Sequence, residues 1–356
     1  MTRAGPPRAA GTVRNADAVV GYHAEQPWAP CSESVLSWDV GFHELMLNDR
    51  LRMAAYRRAI FERVKPGDVV LDLGTGTGIL GQWALEAGAR RVFGVELSAP
   101  ILAYAVDRMA AAGLAERFEP INQLSYDVQL PQRVDVLISE IMGNMADNED
   151  FQPILQDAIQ RFVAPGGTVL PRSTTSYLVP VAARTAHARV CAGEIASLAS
   201  PDDVDTLLRA TRARSPFNIY YDCIVPRSSC LSRPARLRAY HGAWDQPATY
   251  RCRLAFSIER PDLLTGFKAY FVAELTATTT LDISGDDIAG GQTSDSWKHA
   301  YLPIERPIEV QSGDHLEVRF SRAYPANGTA FRQLYRWQGW VERAGEIVGR
   351  FDHGME

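Results

Sequence analysis

Two carboxylates stand in one short segment of the chain, SEIMGNMADNE, at Glu140 and Glu149. The apolar run before it, Val134 to Ile138, is typical of a buried strand, whereas the segment contains a glycine and several small or amide residues. The two acids could be solvated, could bind a metal ion, or could hold an organic cation. Solvated acids are common on loops, but they fit poorly at a strand end that should face a ligand.

The composition of this segment disfavours a metal site. It contains no His or Cys, and it lacks the alternating oxygen ligands of a calcium loop. A clamp for a cation needs a planar partner with several hydrogen-bond donors. Guanidinium meets this requirement because it binds carboxylates through two parallel hydrogen bonds. The two glutamates therefore predict a site for a guanidinium group.

A second group of residues, in LDLGTGTGIL, predicts a nucleotide-like cofactor. Asp72, Gly74, Gly76 and Gly78 lie between a strand and a helix, where glycines allow close approach of a ligand to the backbone. Glu96 ends the next strand about 20 residues further on, where an acid can bind ribose hydroxyls. A purely structural glycine turn is the alternative. The GxGxG spacing differs from the GxGxxG of dinucleotide-binding folds and resembles the S-adenosylmethionine-dependent methyltransferases.

The elements that must position these residues follow a regular alternation from about Leu45 to Pro171. The strand patterns DVVLDLG, RVFGVEL and VDVLISE are separated by helical patterns such as GILGQWALEAG and APILAYAVDRMAAAGL. This order predicts an α/β domain with a parallel sheet. HELMLNDRLRMAAYRRAIFERV is predicted as one helix before the first strand, and DFQPILQDAIQRFV as a helix that ends at APGG.

The chain after Pro171 is rich in strand patterns. TTSYLVPVAA, RCRLAFSI, FKAYFVAELTATTTLDI and HLEVRFSRAY predict a mostly antiparallel β-domain or barrel, interrupted by a helical insertion at about 186–215. We therefore predict an N-terminal arm at 1–40, a cofactor domain at 41–171 and a β-domain at 172–356. The first 18 residues are rich in Pro, Gly and Ala and predict a loose arm.

Length and charge exclude several classes of protein. The chain has 356 residues, which favours two domains, and a net charge of −5, which gives no basic field for nucleic acid or an anionic membrane. No apolar run approaches the roughly 20 residues of a membrane span, and the N-terminus has no apolar core of a secretory signal. The five cysteines lack CxxC spacing and are predicted to be free thiols in a cytoplasmic protein.

The motifs together resemble the protein arginine methyltransferases, from about Phe42 to the C-terminus and most strongly through Leu170. The segments that carry the likeness are GFHELMLNDRLRMAAYRRAI, VLDLGTGTGIL, VFGVELS, DVLISEIMG followed by the second glutamate, and APGGTVLP. The resemblance implies a Rossmann-like domain followed by a β-barrel, S-adenosylmethionine as cofactor, and a head-to-tail homodimer. The insertion resembles the family's dimerisation arm, and we expect a partner to cover its apolar residues Ile195, Leu198, Val204, Leu207 and Leu208.

The resemblance also implies roles for individual residues. Glu140 and Glu149 would hold the guanidinium, Glu96 the cofactor ribose, and Arg52 the methionine carboxylate. The other implied cofactor contacts are His43, Asp72, Gly74, Thr75, Gly76, Gly78 and Ser125. The other implied substrate-side residues are Met46, Ser296 and Trp297. From the residues alone, the alternatives are a partly buried structural role for His43, a core position for Met46 and a surface position for Arg52.

The chain departs from the family pattern around the substrate. Where the family has Tyr-Phe-x-x-Tyr this chain has ESVLS at Glu33 to Ser37, and where the family has Thr-His-Trp it has DSW, with Ser296 in place of His. The acid that this His normally pairs with is retained as Asp49, and only His299 could supply an imidazole by bending in. Two further departures stand near the cofactor, Tyr126 for an acid and Ile141 for a Trp.

The predicted activity is methyl transfer to a guanidino nitrogen of arginine. Free L-arginine or a small guanidine is slightly favoured over protein arginine, because the chain is acidic and lacks the aromatic N-terminal motif. The alternatives are a methyltransferase acting on another nitrogen or oxygen of a small metabolite, and a non-catalytic cofactor-binding subunit.

Overall fold

The computed structural model describes residues 23–32, 40–196, 204–288, 290–325 and 333–356. The first 18 residues, predicted as a loose arm, and the ESVLS segment lie outside the described residues. Residues 23–32 pack on the β-domain, where Trp28 forms backbone bridges with Asp222 and Ala196.

The cofactor domain is a five-stranded parallel sheet in the order β3-β2-β1-β4-β5. Its strands are β1 Val69–Leu73, β2 Arg91–Val95, β3 Phe118–Ile121, β4 Val134–Ser139 and β5 Val163–Leu170. Its helices are α1 Val40–Asn48, α2 Arg50–Arg63, α3 Ile79–Glu86, α4 Ala99–Ala111 and α5 Phe151–Phe162. All five residues of β1 are buried, as expected for a central strand covered on both faces. The predicted Rossmann-like domain is confirmed.

One boundary in this domain differs from the prediction. The single helix predicted before β1 is two helices, because Asp49 is extended and its carboxylate accepts a hydrogen bond from the backbone N–H of Arg52 at 3.1 Å, which starts α2. The helix predicted to end at APGG does end just before it, at Phe162, and the APGG segment lies inside β5.

The β-domain consists of two antiparallel sheets. A six-stranded sheet has the order β7-β12-β10-β6-β8, with β11 beside β10, and a four-stranded sheet has the order β15-β14-β13-β9. The strands of the first sheet are β6 Ser173–Val181, β7 Tyr221–Cys223, β8 Ala235–His241, β10 Asp262–Glu274, β11 Thr280–Asp282 and β12 His299–Val310. Those of the second are β9 Tyr250–Ser257, β13 His315–Ala323, β14 Leu334–Arg343 and β15 Glu346–Gly354.

The two sheets pack through large side chains. The rings of Phe267 on β10 and Phe351 on β15 lie 5.3 Å apart, and the indole of Trp337 donates to the carbonyl of Pro303 at 2.9 Å. The predicted antiparallel β-domain is confirmed. Among the described strands it consists of two hydrogen-bonded sheets, and closure into one barrel is not seen there.

The predicted helical insertion contains α6 Arg184–Ala192 and α7 Val204–Thr211. Ile195 is buried within the chain itself, so the expectation that a partner covers this residue is wrong. Leu198 lies outside the described residues. No helix in the described ranges is long and apolar enough to cross a membrane.

Candidate active site

A cavity of about 460 Å³ opens beside the ends of β1, β2 and β4. Parallel strands place such crevices at their carboxyl ends. The predicted site residues that line it are His43, Met46, Arg52, Gly74, Thr75, Gly76, Glu96, Ser125, Glu140 and Glu149. The fold therefore brings both glutamates and most of the predicted cofactor residues to one cavity.

Asp72 does not line this cavity, contrary to its predicted contact with the cofactor. It is fully buried, and its Oδ2 accepts hydrogen bonds from the Thr75 hydroxyl at 2.6 Å and from the Gly81 backbone N–H at 2.9 Å. Burial raises the pKa of Asp72 to about 6. Through these two hydrogen bonds Asp72 holds the glycine loop against the start of α3.

The loop glycines have two different roles. A Cβ on Gly78 would lie 2.8 Å from the Cβ of Ala105, so Gly78 allows α3 and α4 to pack closely and is not a lining residue. Gly74 and Gly76 have φ angles of +73° and +53°, which favour glycine. A Cβ on Gly74 would meet Ile141 at 2.7 Å. The absence of side chains leaves the floor of the cavity open to a ligand.

Glu96 links the end of β2 to the glycine loop. Its Oε2 accepts from the Gly76 backbone N–H at 3.1 Å, and its Oε1 accepts from the Ser98 N–H at 2.9 Å. The cavity thus holds one carboxylate that suits a sugar diol and, in Arg52, a guanidinium that suits a carboxylate. An acceptor for hydroxyls and a donor for a carboxylate together fit a nucleoside joined to an amino acid.

The two glutamates are buried and have different partners. The side chain of Glu140 is 5% exposed and forms an ion pair with Arg52, whose guanidinium lies 5.0 Å from the centre of the Trp297 ring. Glu149 is 7% exposed and accepts a hydrogen bond from the Ser32 hydroxyl at 2.8 Å. The contact with Ser32 was not predicted, because nothing in the sequence links a serine of the arm to this loop.

A second, small cavity of about 20 Å³ lies on the substrate side. It shares Met46, Arg52 and Glu149 with the first, and its wall includes the predicted residues Ser296 and Trp297. Its other lining residues, which were not predicted, are Cys31, Ser32, Phe42, Asn144 and Asp222. Burial raises the pKa of Asp222 to about 6, although its carboxylate accepts from the Cys31 N–H and the Asn144 amide, each at 2.8 Å.

Two serine hydroxyls bind the carboxylate of Asp49, which in the family pattern pairs with a histidine. The Ser296 hydroxyl donates to Asp49 Oδ2 at 2.7 Å, and the Ser294 hydroxyl donates to the same oxygen. His299 does not reach it. Its Nδ1 accepts from the Val225 N–H at 3.0 Å, its Nε2 lies 2.9 Å from the Ile283 carbonyl, and burial holds its pKa well below the usual range. The pairing of β12 with β7 turns this ring into the β-domain core.

Of the two other residues that depart from the family pattern, one lines the cavity and one does not. Ile141 lines the cavity, where it touches the glycine loop. Tyr126 is 46% exposed and is not a lining residue, although Ser125 beside it is. No cluster of His, Cys, Asp and Glu able to hold a metal ion occurs within the ranges that the structure describes.

Comparison with known proteins gives the family. Residues 70–167 match a methyltransferase domain, and residues 173–339 match the PRMT5 oligomerisation domain. Protein arginine N-methyltransferase PRMT10 of Oryza sativa subsp. japonica is 38% identical over 306 residues, which cover 78% of this chain and 79% of that protein. The chain belongs to the protein arginine methyltransferase family. Membership confirms the methyltransferase class and the S-adenosylmethionine cofactor predicted from the glycine loop.

Other members of the family match less of the sequence or share only the fold. Probable protein arginine N-methyltransferase 6 of Arabidopsis thaliana is 36% identical over 159 residues, 43% of this chain and 36% of that protein. The structure of Arabidopsis thaliana protein arginine methyltransferase 10 has a TM-score of 0.75 at 20% identity, covering 91% of this chain and all of that one. The Trypanosoma brucei PRMT1 enzyme–prozyme complex with AdoHcy has a TM-score of 0.74 at 21% identity and covers the same shares.

Proposed function

We propose that this methyltransferase transfers a methyl group to a guanidino nitrogen of arginine. The observation that carries the proposal is that Glu140 and Glu149, both nearly buried, line the same cavity as the glycine loop and Glu96. Glu140 is already paired with Arg52, and Glu149 accepts from the Ser32 hydroxyl. Each carboxylate has further acceptor positions, which a planar cation with several N–H donors can fill on the side that faces the cofactor.

The cofactor side of the cavity is built to bind and orient. S-adenosylmethionine, when bound, supplies a methyl group on a positively charged sulfur. Glu96 would accept hydrogen bonds from the ribose, and Arg52 would face the carboxylate of the methionine part. The backbone of Gly74 and Gly76 would lie against the ligand without a side chain between.

The glutamates would hold and polarise the acceptor. A guanidinium is protonated at neutral pH and is a weak nucleophile, because its lone pairs are delocalised. Two carboxylates that bind two of its nitrogens draw the positive charge toward them, so the third nitrogen becomes richer in electrons. Rate enhancement then comes from positioning and electrostatics. The proton released on methylation would pass to a carboxylate oxygen of Glu140 or Glu149, since the Oδ2 of Asp49 accepts from Ser294 and Ser296 where the family pattern has a His.

The acceptor that we propose is arginine within a protein, as the names of the relatives state for those proteins. Free L-arginine is the second candidate. The net charge of −5 and the absence of the aromatic N-terminal motif from the sequence favour it. A nitrogen or oxygen of another small metabolite and a non-catalytic subunit are the remaining alternatives.

We further propose that the protein is a head-to-tail homodimer in the cytoplasm. The match to an oligomerisation domain at 173–339 supports assembly. The insertion that holds α6 and α7 would pack on the cofactor domain of the second copy, and two such contacts close a two-fold ring. The five free cysteines support a reducing compartment.

Mass spectrometry with isotopically labelled S-adenosylmethionine tests the proposal. The protein is incubated with an arginine-rich peptide in one reaction and with free arginine in another. We expect labelled methylarginine in the first. Label in free arginine alone would select the second candidate. Cofactor binding without labelled product on either acceptor would contradict guanidine methylation.

A further inference from the structure

A third buried carboxylate, Asp147, lies between the two glutamates in the sequence and lines neither of the two cavities. It is 1% exposed. Its Oδ1 accepts a hydrogen bond from the Tyr335 hydroxyl at 2.6 Å, and its Oδ2 accepts from Tyr240 at 2.9 Å and Tyr250 at 3.0 Å. These tyrosines stand on β14, β8 and β9, so both sheets of the β-domain contribute to one carboxylate of the cofactor domain. Three hydrogen-bond donors hold this buried carboxylate in place, and the loss of any one of them is costly.

Arg322 on β13 holds the loop on both sides of Glu149. Its side chain is fully buried, and its Nη2 donates to the backbone carbonyl of Asp147 at 2.8 Å and to the Asp150 carboxylate at 3.2 Å. Its Nη1 donates to the carbonyl of Ala248 at 2.9 Å, which ties the same guanidinium to the β-domain. We name Asp147, Tyr240, Tyr250, Arg322 and Tyr335 the Asp147 cluster.

The backbone at this point would not keep its conformation unaided. Ala146 and Asp150 have φ angles of +67° and +59°, in the left-handed region that residues with a Cβ rarely adopt. Conformations of this kind persist where the surroundings enforce them. The two residues flank the segment that contains Asp147 and Glu149, so the contacts of Arg322 and the tyrosines act on the strained part of the loop.

We infer that the Asp147 cluster positions Glu149 for the methyl transfer proposed above, with Tyr335 and Arg322 as positioning residues that act through Asp147. The role of Glu149 in binding the guanidinium rests on the proposed function. The control of its position rests on the contacts of the loop. Without the Tyr335 hydroxyl, the polar contact that remains to Oδ1 of Asp147 among the described residues is the Nε of Arg322, 3.7 Å away. The carboxylate then shifts, and Glu149, two residues further along, moves with it.

The test compares Tyr335→Phe with a matched control, Tyr301→Phe. Both tyrosines are fully buried in the β-domain, and the Tyr301 hydroxyl donates to the Thr265 carbonyl at 2.9 Å, between β10 and β12. Each variant loses one buried hydrogen bond, and the loss of stability should be larger in Tyr335→Phe because its acceptor is charged. The kcat values are therefore compared at a temperature at which urea unfolding shows both variants to be fully folded. We expect Tyr335→Phe to lower kcat about 10-fold, because small misplacements of a reacting group are costly. The affinity for S-adenosylhomocysteine should stay within about twofold in both variants. Equal kcat values in the two variants would overturn the inference.

Hydrogen–deuterium exchange of the peptide covering 140–150 gives a readout that needs no turnover. We expect faster exchange there in Tyr335→Phe than in Tyr301→Phe, and equal exchange would overturn the inference whatever the kinetics. A wild-type protein that methylates no guanidine would refute the proposed function, and the exchange comparison would still decide whether the cluster holds the loop.

Arg322→Lys keeps the charge but replaces the several N–H donors of a planar guanidinium with one ammonium group, so it should behave like Tyr335→Phe. Wild-type kcat and wild-type exchange in Arg322→Lys would overturn the role of Arg322 as a positioning residue.

Discussion

Replacing Asp49 should weaken the fold and the site together. Its Oδ1 accepts from the Arg52 backbone N–H and caps α2, and its Oδ2 accepts from Ser294 and Ser296. Loss of an N-cap costs about 1 kcal/mol. Loss of a hydrogen bond to a charged group costs about 1.5–3 kcal/mol.

The two serines recover part of this loss in Asp49→Ala. Their hydroxyls lie 3.2 Å apart and can bond to each other, and Ser294 also accepts from the Trp297 N–H at 3.0 Å. We therefore count about 1 kcal/mol for each serine contact and expect Asp49→Ala to lower the free energy of unfolding by about 3 kcal/mol. Asp49→Asn keeps a capping oxygen and a polar group toward the serines, so it should cost only about 1 kcal/mol.

Urea unfolding of the two variants measures these values, and turnover gives a second readout. The first turn of α2 carries Arg52, which pairs with Glu140, so Asp49→Ala should also reduce kcat by about 10-fold. If the alanine and asparagine variants were equally stable, the cap and the serine contacts would not be the source of the effect.

Four further outcomes follow from the site. Glu96→Ala should weaken binding of S-adenosylhomocysteine by about 1.5–3 kcal/mol in calorimetry, and unchanged affinity would exclude its contact with the ribose. Gly74→Ala should lose both stability and cofactor affinity, whereas Gly113→Ala, with a similar φ of +70° but nothing near its Cβ, should lose only about 1–2 kcal/mol of stability. The pKa of Asp72 is about 6, above its usual 3.8, so the folded state binds this proton more tightly than the unfolded state does. The free energy of unfolding should therefore fall by up to about 3 kcal/mol as pH rises from about 4 to 6. Asp72→Asn should remove this part of the pH dependence in urea unfolding. Light scattering should give about twice the chain mass of 39.3 kDa, and a monomer would refute the dimer.

The order of elements in the cofactor domain could be predicted because it depends on local pattern. Apolar strands, glycine turns and amphipathic helices each leave a short signature, and β1, β2 and β4 with their helices lie where the sequence indicates. The acids that end two of these strands, Glu96 and Glu140, then had to meet at one edge of the sheet. Both line the cavity.

What could not be predicted depends on contacts between distant parts of the chain. Asp49 fits an amphipathic helix in the sequence, and only its serine partners, about 245 residues away, show why the helix breaks there. Asp147 is tied to Tyr335 across a separation of 188 residues, so its role has no local signature. Asp72 sits where a cofactor contact was expected, but the direction of its side chain is decided by Thr75 and Gly81.

The most direct test of the glutamate clamp is the turnover of Glu140→Gln and Glu149→Gln on an arginine-rich peptide and on free arginine. The amide keeps the shape of each side chain but removes the charge that polarises the guanidine. We expect each variant to lose at least about 100-fold in kcat. The double variant should be little worse than the worse single one, and affinity for S-adenosylhomocysteine should be retained. Near-normal turnover by both single variants on every guanidine tested would contradict the clamp.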